Sequence, residues 1–218
     1  MILSSGGLAT NSMFNLGNGT GISTAAVGFT GLTAVSLNAA SARLNINSGR
    51  LTANAAGVLV SGSGQVVLNG LAMFNTNANT NTIDSLISGV GGLTKEGSGL
   101  LTLSNTNTYF GDTKVSLGTL SISNPYLADA ADVYMTTGGL FNLNTAAATD
   151  TINQLFFDGV AQAAGTWGST ASAAANLNDT FFSGTGVLNV TTGAVPEPAS
   201  LGLLTIGALG LLGRRRRA

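Results

Sequence analysis

The stretch Val115-Ser116-Leu117-Gly118-Thr119-Leu120-Ser121-Ile122 decides the fold class, because two short apolar alternations meet at a glycine. Apolar residues two apart share one face of a strand, and the polar residues between them face the other way. Gly118 supplies the turn. The same strand–glycine–strand pattern occurs at residues 46–51, 133–140 and 184–190. Working outward, the pairs Leu44/Ile46, Val58/Val60, Val66/Leu68, Leu101/Leu103, Val115/Leu117, Leu120/Ile122, Val133/Met135 and Leu188/Val190 alternate in the same way. Their centres lie mostly about 8 to 18 residues apart, a spacing typical of all-β chains. The body shows no sustained helical period, and the run Ala171 to Ala175 is too small to bury much. Recurring units that cannot bury an apolar face alone predict stacked rungs. At about 20 to 25 residues per rung, the body would hold about eight. The expected fold is an all-β, right-handed parallel β-helix; a sandwich would show more large aromatic core residues.

Composition narrows the function. Of 218 residues, 31 are Gly, only 8% are charged, and there is no His or Cys. Imidazole bases, thiolate nucleophiles, disulfides and common zinc sites are therefore excluded. With 44% hydrophobic residues the chain is not a disordered polar tract. Before Pro196 the basic residues are Arg43, Arg50, Lys95 and Lys114, against eight acidic ones, so no footprint for nucleic acid exists. No cofactor is expected.

The remaining four basic residues, Arg214, Arg215, Arg216 and Arg217, close an ordered tail. Val195-Pro196-Glu197-Pro198 comes first, followed by the uncharged apolar run 199–213. As a helix that run rises about 22 Å, short of the ~30 Å hydrocarbon core. Arginines snorkelling to the headgroups lengthen its effective span, and their charge places them on the cytoplasmic side. The two prolines keep the approach extended.

This trio resembles the PEP-CTERM sorting signal of Gram-negative bacteria. The resemblance implies recognition by exosortase, a membrane-embedded protease/transpeptidase. Val195, Pro196, Glu197 and Pro198 would be the sorting motif and Arg214 to Arg217 the membrane-stop cluster. Export of the body normally needs an N-terminal signal, yet Met1-Ile2-Leu3-Ser4-Ser5-Gly6 has no basic region or long apolar run. A truncated or miscalled start is the expectation.

A second motif runs from Gly91 to Ile122: Gly92-Leu93-Thr94-Lys95-Glu96-Gly97-Ser98-Gly99, then Leu101 and Leu103, then Asn107-Thr108-Tyr109-Phe110-Gly111-Asp112-Thr113, then Gly118-Thr119-Leu120. It resembles the autotransporter-associated β-strand repeat, also called the passenger-associated transport repeat. That family implies a β-solenoid on an exported protein. Glu96 and Asp112 stand where small or polar residues are commoner in it. Residues 159–168 and 179–186 resemble the closing unit that follows such repeats. The division expected is rungs without a motif at 1–88, the repeat at 89–123, terminal rungs and closing unit at 124–192, and the sorting tail at 193–218.

Candidate chemistry is thin. Asp129 and Asp132 could pair for acid/base work, but turn or capping roles are commoner for Asp beside Ala-rich sequence. Asp112 and Lys114, flanking Thr113, suggest a solvated surface pair. Gly17 to Gly21 and Gly62 to Gly64 lack the residues of a phosphate loop. The Asn/Thr run at 75–82 reads as a solvated loop, with an amide ladder between rungs or hydrogen-bonding groups presented to a glycan as the alternatives. Trp167, Phe181 and Phe182 could stack on sugar, though capping the core is the commoner job. Asn18, Asn178 and Asn189 sit in glycosylation-type sequons.

The function expected is a non-enzymatic exported surface or matrix protein. Its partners would be exosortase, the membrane through the C-terminal helix, and exopolysaccharide, the last suggested by the Ser/Thr/Asn-rich surface. The alternative is an adhesin or glycan-binding module on the same scaffold. A β-helix polysaccharide lyase would need more basic residues, and an autotransporter passenger would end in a membrane β-barrel.

Overall fold

The structure, a computed structural model, describes residues 13–16, 26–29 and 33–194. Its strands are two to five residues long, and their alternation is visible in burial: Arg43–Ile46, Gln65–Leu68 and Leu100–Leu103 each turn alternate residues into the core. After each strand the chain turns and joins the next of three sheets. The first sheet holds Met13–Leu16, Arg43–Ile46, Gln65–Leu68, Leu86–Gly89 and Thr108–Tyr109. The second runs through Ala26–Phe29, Gly49–Ala53, Ala72–Asn75, Leu93–Glu96, Thr113–Val115, Val133–Met135 and Leu155–Phe157. The third runs through Thr33–Ser36, Gly57–Ser61, Thr80–Ile83, Leu100–Leu103, Gly118–Ile122, Gly139–Leu143 and Phe182–Ser183. All of these pairings are parallel. The fold is a β-solenoid.

Parallel register stacks like positions into columns along the axis. Leu93 pairs with Thr113 and Thr113 with Val133, twenty residues per step. One inward column reads Leu51, Phe74, Lys95, Val115, Met135 and Phe157; another reads Asn81, Leu101, Leu120, Phe141 and Phe182. Lys95 and Asn81 are the polar members of these apolar columns, and both are buried. Their environment explains them. Both sit beside the corner from the second sheet to the third, where turn carbonyls lack ladder partners and need donors. Asn81 Nδ2 donates to Ala55 O at 2.9 Å and Gly57 O at 3.2 Å.

The ends depart from this regularity. The first sheet stops at Thr108–Tyr109, and its place is taken by a loop in which Tyr126 and Leu127 are buried. There one Asp150 oxygen accepts from Tyr126 N and Leu127 N at 3.0 and 3.1 Å, doing the work of ladder bonds. At the far end antiparallel pairs take over. Leu155–Phe157 returns through Asp158 and Gly159, both at positive φ, to Val160–Ala161, and Gly165–Gly168 runs against Val187–Val190.

The solenoid makes about six turns, not eight. The first pairing spans more than a rung, Met13 to Arg43, and the chain from residue 158 onward goes largely into the cap. The Val115/Leu117 alternation also breaks down: the strand ends at Val115, and Leu117 is exposed in the corner. The recurring strand–glycine–strand pattern merges two corners. Gly49 opens a strand of the second sheet, whereas Gly118 and Gly139 open strands of the third.

Candidate functional site

The motif residues of 91–122 come first, because their roles decide what is left for function. Leu93, Leu101, Leu103 and Leu120 are fully buried. Lys95 Nζ donates to three backbone carbonyls, Glu96 O at 2.8 Å, Gly97 O at 2.7 Å and Leu117 O at 3.1 Å, tying one corner to the next rung. Burial pulls its pKa down to about 8, with Glu96 acting in the opposite sense. Asn107 Oδ1 accepts from Ile87 N of the preceding rung at 2.8 Å. The Tyr109 hydroxyl lies 2.8 Å from that of Thr113, and both residues are buried. A Cβ on Gly111 would stand 2.5 Å from the Gly91 carbonyl carbon, so the rungs stack there only without side chains. These markers are architectural.

Most of the other candidates are structural too. Asp132 Oδ1 accepts from Asn153 Nδ2 and Gln154 N, and its Oδ2 from the Tyr134 hydroxyl, while Asp129 is exposed in a turn. The two aspartates do not form a shared acid/base centre. The Asn/Thr run is exposed at Asn77, Ala78 and Thr80, and its amides form no ladder: Asn77 and Asn79 each donate to Ala53 O at 3.0 Å, binding the previous rung's backbone. An amide ladder does occur elsewhere, from Asn69 Nδ2 to Asn47 Oδ1 at 2.9 Å. Trp167, Phe181 and Phe182 surround Phe157, with ring centroids 5.4, 4.3 and 5.9 Å away, and close the core. Asn178 Oδ1 accepts from Thr180 N at 3.0 Å, and Asn189 lies in the strand Val187–Val190.

Asp112 and Lys114 are exposed, as the alternation predicts, but they do not stand alone. They line a groove of about 420 Å³ on the outer side of the second sheet with Leu71, Thr94, Tyr134 and a floor that includes Gly92 and Gly111. Tyr134 is no sequence candidate because it stands singly between the apolar pair Val133 and Met135. The signal for it was the outward column Thr94, Lys114, Tyr134, Phe156, at steps close to one rung. Residues 195–218, with Val195 to Pro198 and Arg214 to Arg217, and the loop Gly17 to Gly21 with Asn18 lie outside the described residues. Among the described residues no helix is long and apolar enough to cross a membrane.

With this geometry in hand, family comparison identifies both motifs. The passenger-associated-transport-repeat matches residues 93–122, and the PEP-CTERM protein-sorting motif matches residues 194–217. The chain carries both. The transport-repeat match covers five successive strands, from Leu93–Glu96 to Gly118–Ile122, so the repeat is about a rung and a half of solenoid. The chain is also similar to the Adhesin BmaC autotransporter of Brucella suis biovar 1 (strain 1330). The two are 30% identical over 165 residues, 71% of this chain but 5% of that much longer protein. No solved structure matches. The sorting motif and the likeness to an autotransporter adhesin mark an exported surface protein.

Proposed function

We propose that this chain is a non-enzymatic surface or extracellular-matrix protein, delivered by exosortase-type processing of its C-terminal tail. The observation that carries the reading is the sorting-motif match at 194–217, directly after the antiparallel closing unit. In this account Val195, Pro196, Glu197 and Pro198 are the recognition residues. The apolar run 199–213 holds the precursor transiently in the inner membrane, and Arg214 to Arg217 stop its transfer. The body divides as 1–88, 89–123 and 124–192, ahead of the tail at 193–218. A low-charge surface rich in Ser, Thr and Asn suits contact with exopolysaccharide. The likeness to an adhesin autotransporter favours a second reading, in which the scaffold is itself an adhesin or glycan-binding module.

Support for a non-enzymatic role comes from four buried polar side chains: Lys95, Asn107 and Asp150 bind backbone groups, and Thr113 meets the Tyr109 hydroxyl. The test is replacement of Pro196, Glu197 and Pro198 by Ala in the native host. Accumulation of the full-length protein in the inner membrane is expected. An unchanged distribution between membrane and exterior would contradict exosortase-type recognition.

A further inference from the structure

The groove over the second sheet has walls, a floor and a polarity that select a ligand class. Its residues come from four successive rungs: Leu71, then Gly92 and Thr94, then Gly111, Asp112 and Lys114, then Tyr134. Three strand spacings make it about 14 Å long, parallel to the solenoid axis.

Tyr134 forms one end. Its ring is stacked on Phe156 of the following rung, with centroids 4.7 Å apart and planes within 8°. The register places Phe156 on one side of Tyr134 and Lys114 on the other, and Tyr134 lines the groove together with Lys114. The Tyr134 hydroxyl donates to Asp132 Oδ2 at 3.2 Å, and Asp132 N donates to Asp112 Oδ1 at 2.9 Å, which hold the ring and the rim together. Among the described residues the exposed Lys114 ammonium has no acceptor.

The chemistry excludes two classes of ligand. A polyanion would meet one ammonium and two carboxylates, Asp112 and Asp132. A peptide added as a strand would need a free sheet edge, but Leu93–Glu96 is already paired on both sides. What fits is a molecule with an apolar face to lie on an aromatic ring and with hydroxyls that both donate and accept. A pyranose has both.

We propose that the groove is a saccharide-binding site for a short run of pyranose units laid along the axis, with Tyr134 as the stacking wall and Asp112 and Lys114 as hydrogen-bonding partners. It rests on the exopolysaccharide reading above and assigns that contact to a place. The test uses the full chain in mild detergent on an array of bacterial polysaccharides, followed by calorimetric titration with whichever glycan binds. Saturable binding is expected, weakened about tenfold by Tyr134→Ala. Lys114→Ala, an exposed change that leaves the core untouched, should also weaken it. Tyr134→Phe and Thr102→Ala, the latter on the third sheet, should bind nearly as the unmodified chain does. Binding unaffected by both Tyr134→Ala and Lys114→Ala would overturn the groove while leaving the exopolysaccharide reading standing. No saturable binding to any glycan would overturn both.

Discussion

In residues 93–122 each rung lies one strand spacing from the next, and a single carbon added at Gly97, Gly99, Gly111 or Gly118 would run into backbone. In residues 149–194 the stack ends, and Trp167 and Phe181 pack against Phe157 of the last rung, where another rung would stack. The first region is limited by closeness, the second by vacancy. A solenoid stabilised by nearest-neighbour contacts needs both: interior rungs that approach without obstruction and a terminal rung whose apolar face is covered. The same contrast explains the pairing. Parallel ladders propagate the stack, whereas the antiparallel strands Val160–Ala161 and Gly165–Gly168 occupy edges that would otherwise recruit another chain.

The contrast can be broken from either side. Phe157→Ala removes the ring at the centre of the cap and should cost about 4 kcal/mol, read as a lower urea midpoint with hydrogen exchange rising first in residues 149–194. Gly111→Ala adds one carbon 2.5 Å from the Gly91 backbone. It should cost about 2 to 3 kcal/mol, with exchange rising around residues 89–113 while the cap stays protected. Exchange changes at the same end of the molecule for both variants would contradict the distinction. Lys95→Met keeps the volume but removes the donor to Gly97 O and Leu117 O, while Glu96 O keeps Thr76 N, so it should cost about 2 kcal/mol in the same urea titration; a neutral result would mean that the ammonium does not join the corners.

A subtler probe is pH. Asp150 caps the loop at Tyr126 and Leu127, but burial outweighs those hydrogen bonds and raises its pKa from 3.8 to about 6. The folded state therefore binds the proton more tightly than the unfolded chain does, and this contribution is fully present below about pH 4. It is lost as pH rises through about 6. Stability should fall across that window by less than ~1.4 kcal/mol per pH unit, the limit for one proton. Asp150→Asn should flatten the slope in urea titrations run at pH 4.5, 5.5 and 6.5.

The sequence disclosed the interior better than the surface. Strands such as Arg43–Ile46, Gln65–Leu68 and Leu100–Leu103 were legible because one face is apolar, and period-two burial leaves that trace. Thr80–Ile83 and Thr149–Ile152 were not, because Asn81 and Asp150 hold inward positions where an apolar residue is expected. Both are tolerated by partners far away in sequence, which no local pattern reveals. Lys95 was readable as a family marker but not as a core residue, since its acceptors lie at a strand end and in the turns at Gly97 and Leu117. The groove was half legible. Asp112 and Lys114 stood out as charges, but joining them to Leu71 and Tyr134 requires the register between rungs. The count of rungs was overestimated because the cap has strand-like composition without adding turns to the stack.

The central claim is that the tail is a processing signal on an exported solenoid, and its most direct test is mass spectrometric mapping of the C-terminus in membrane and external fractions of the native host. The account predicts an external form that has lost residues 199–218 and a membrane-bound precursor that retains them. An external form ending at Ala218, or a full-length protein confined to the cytoplasm, would contradict it.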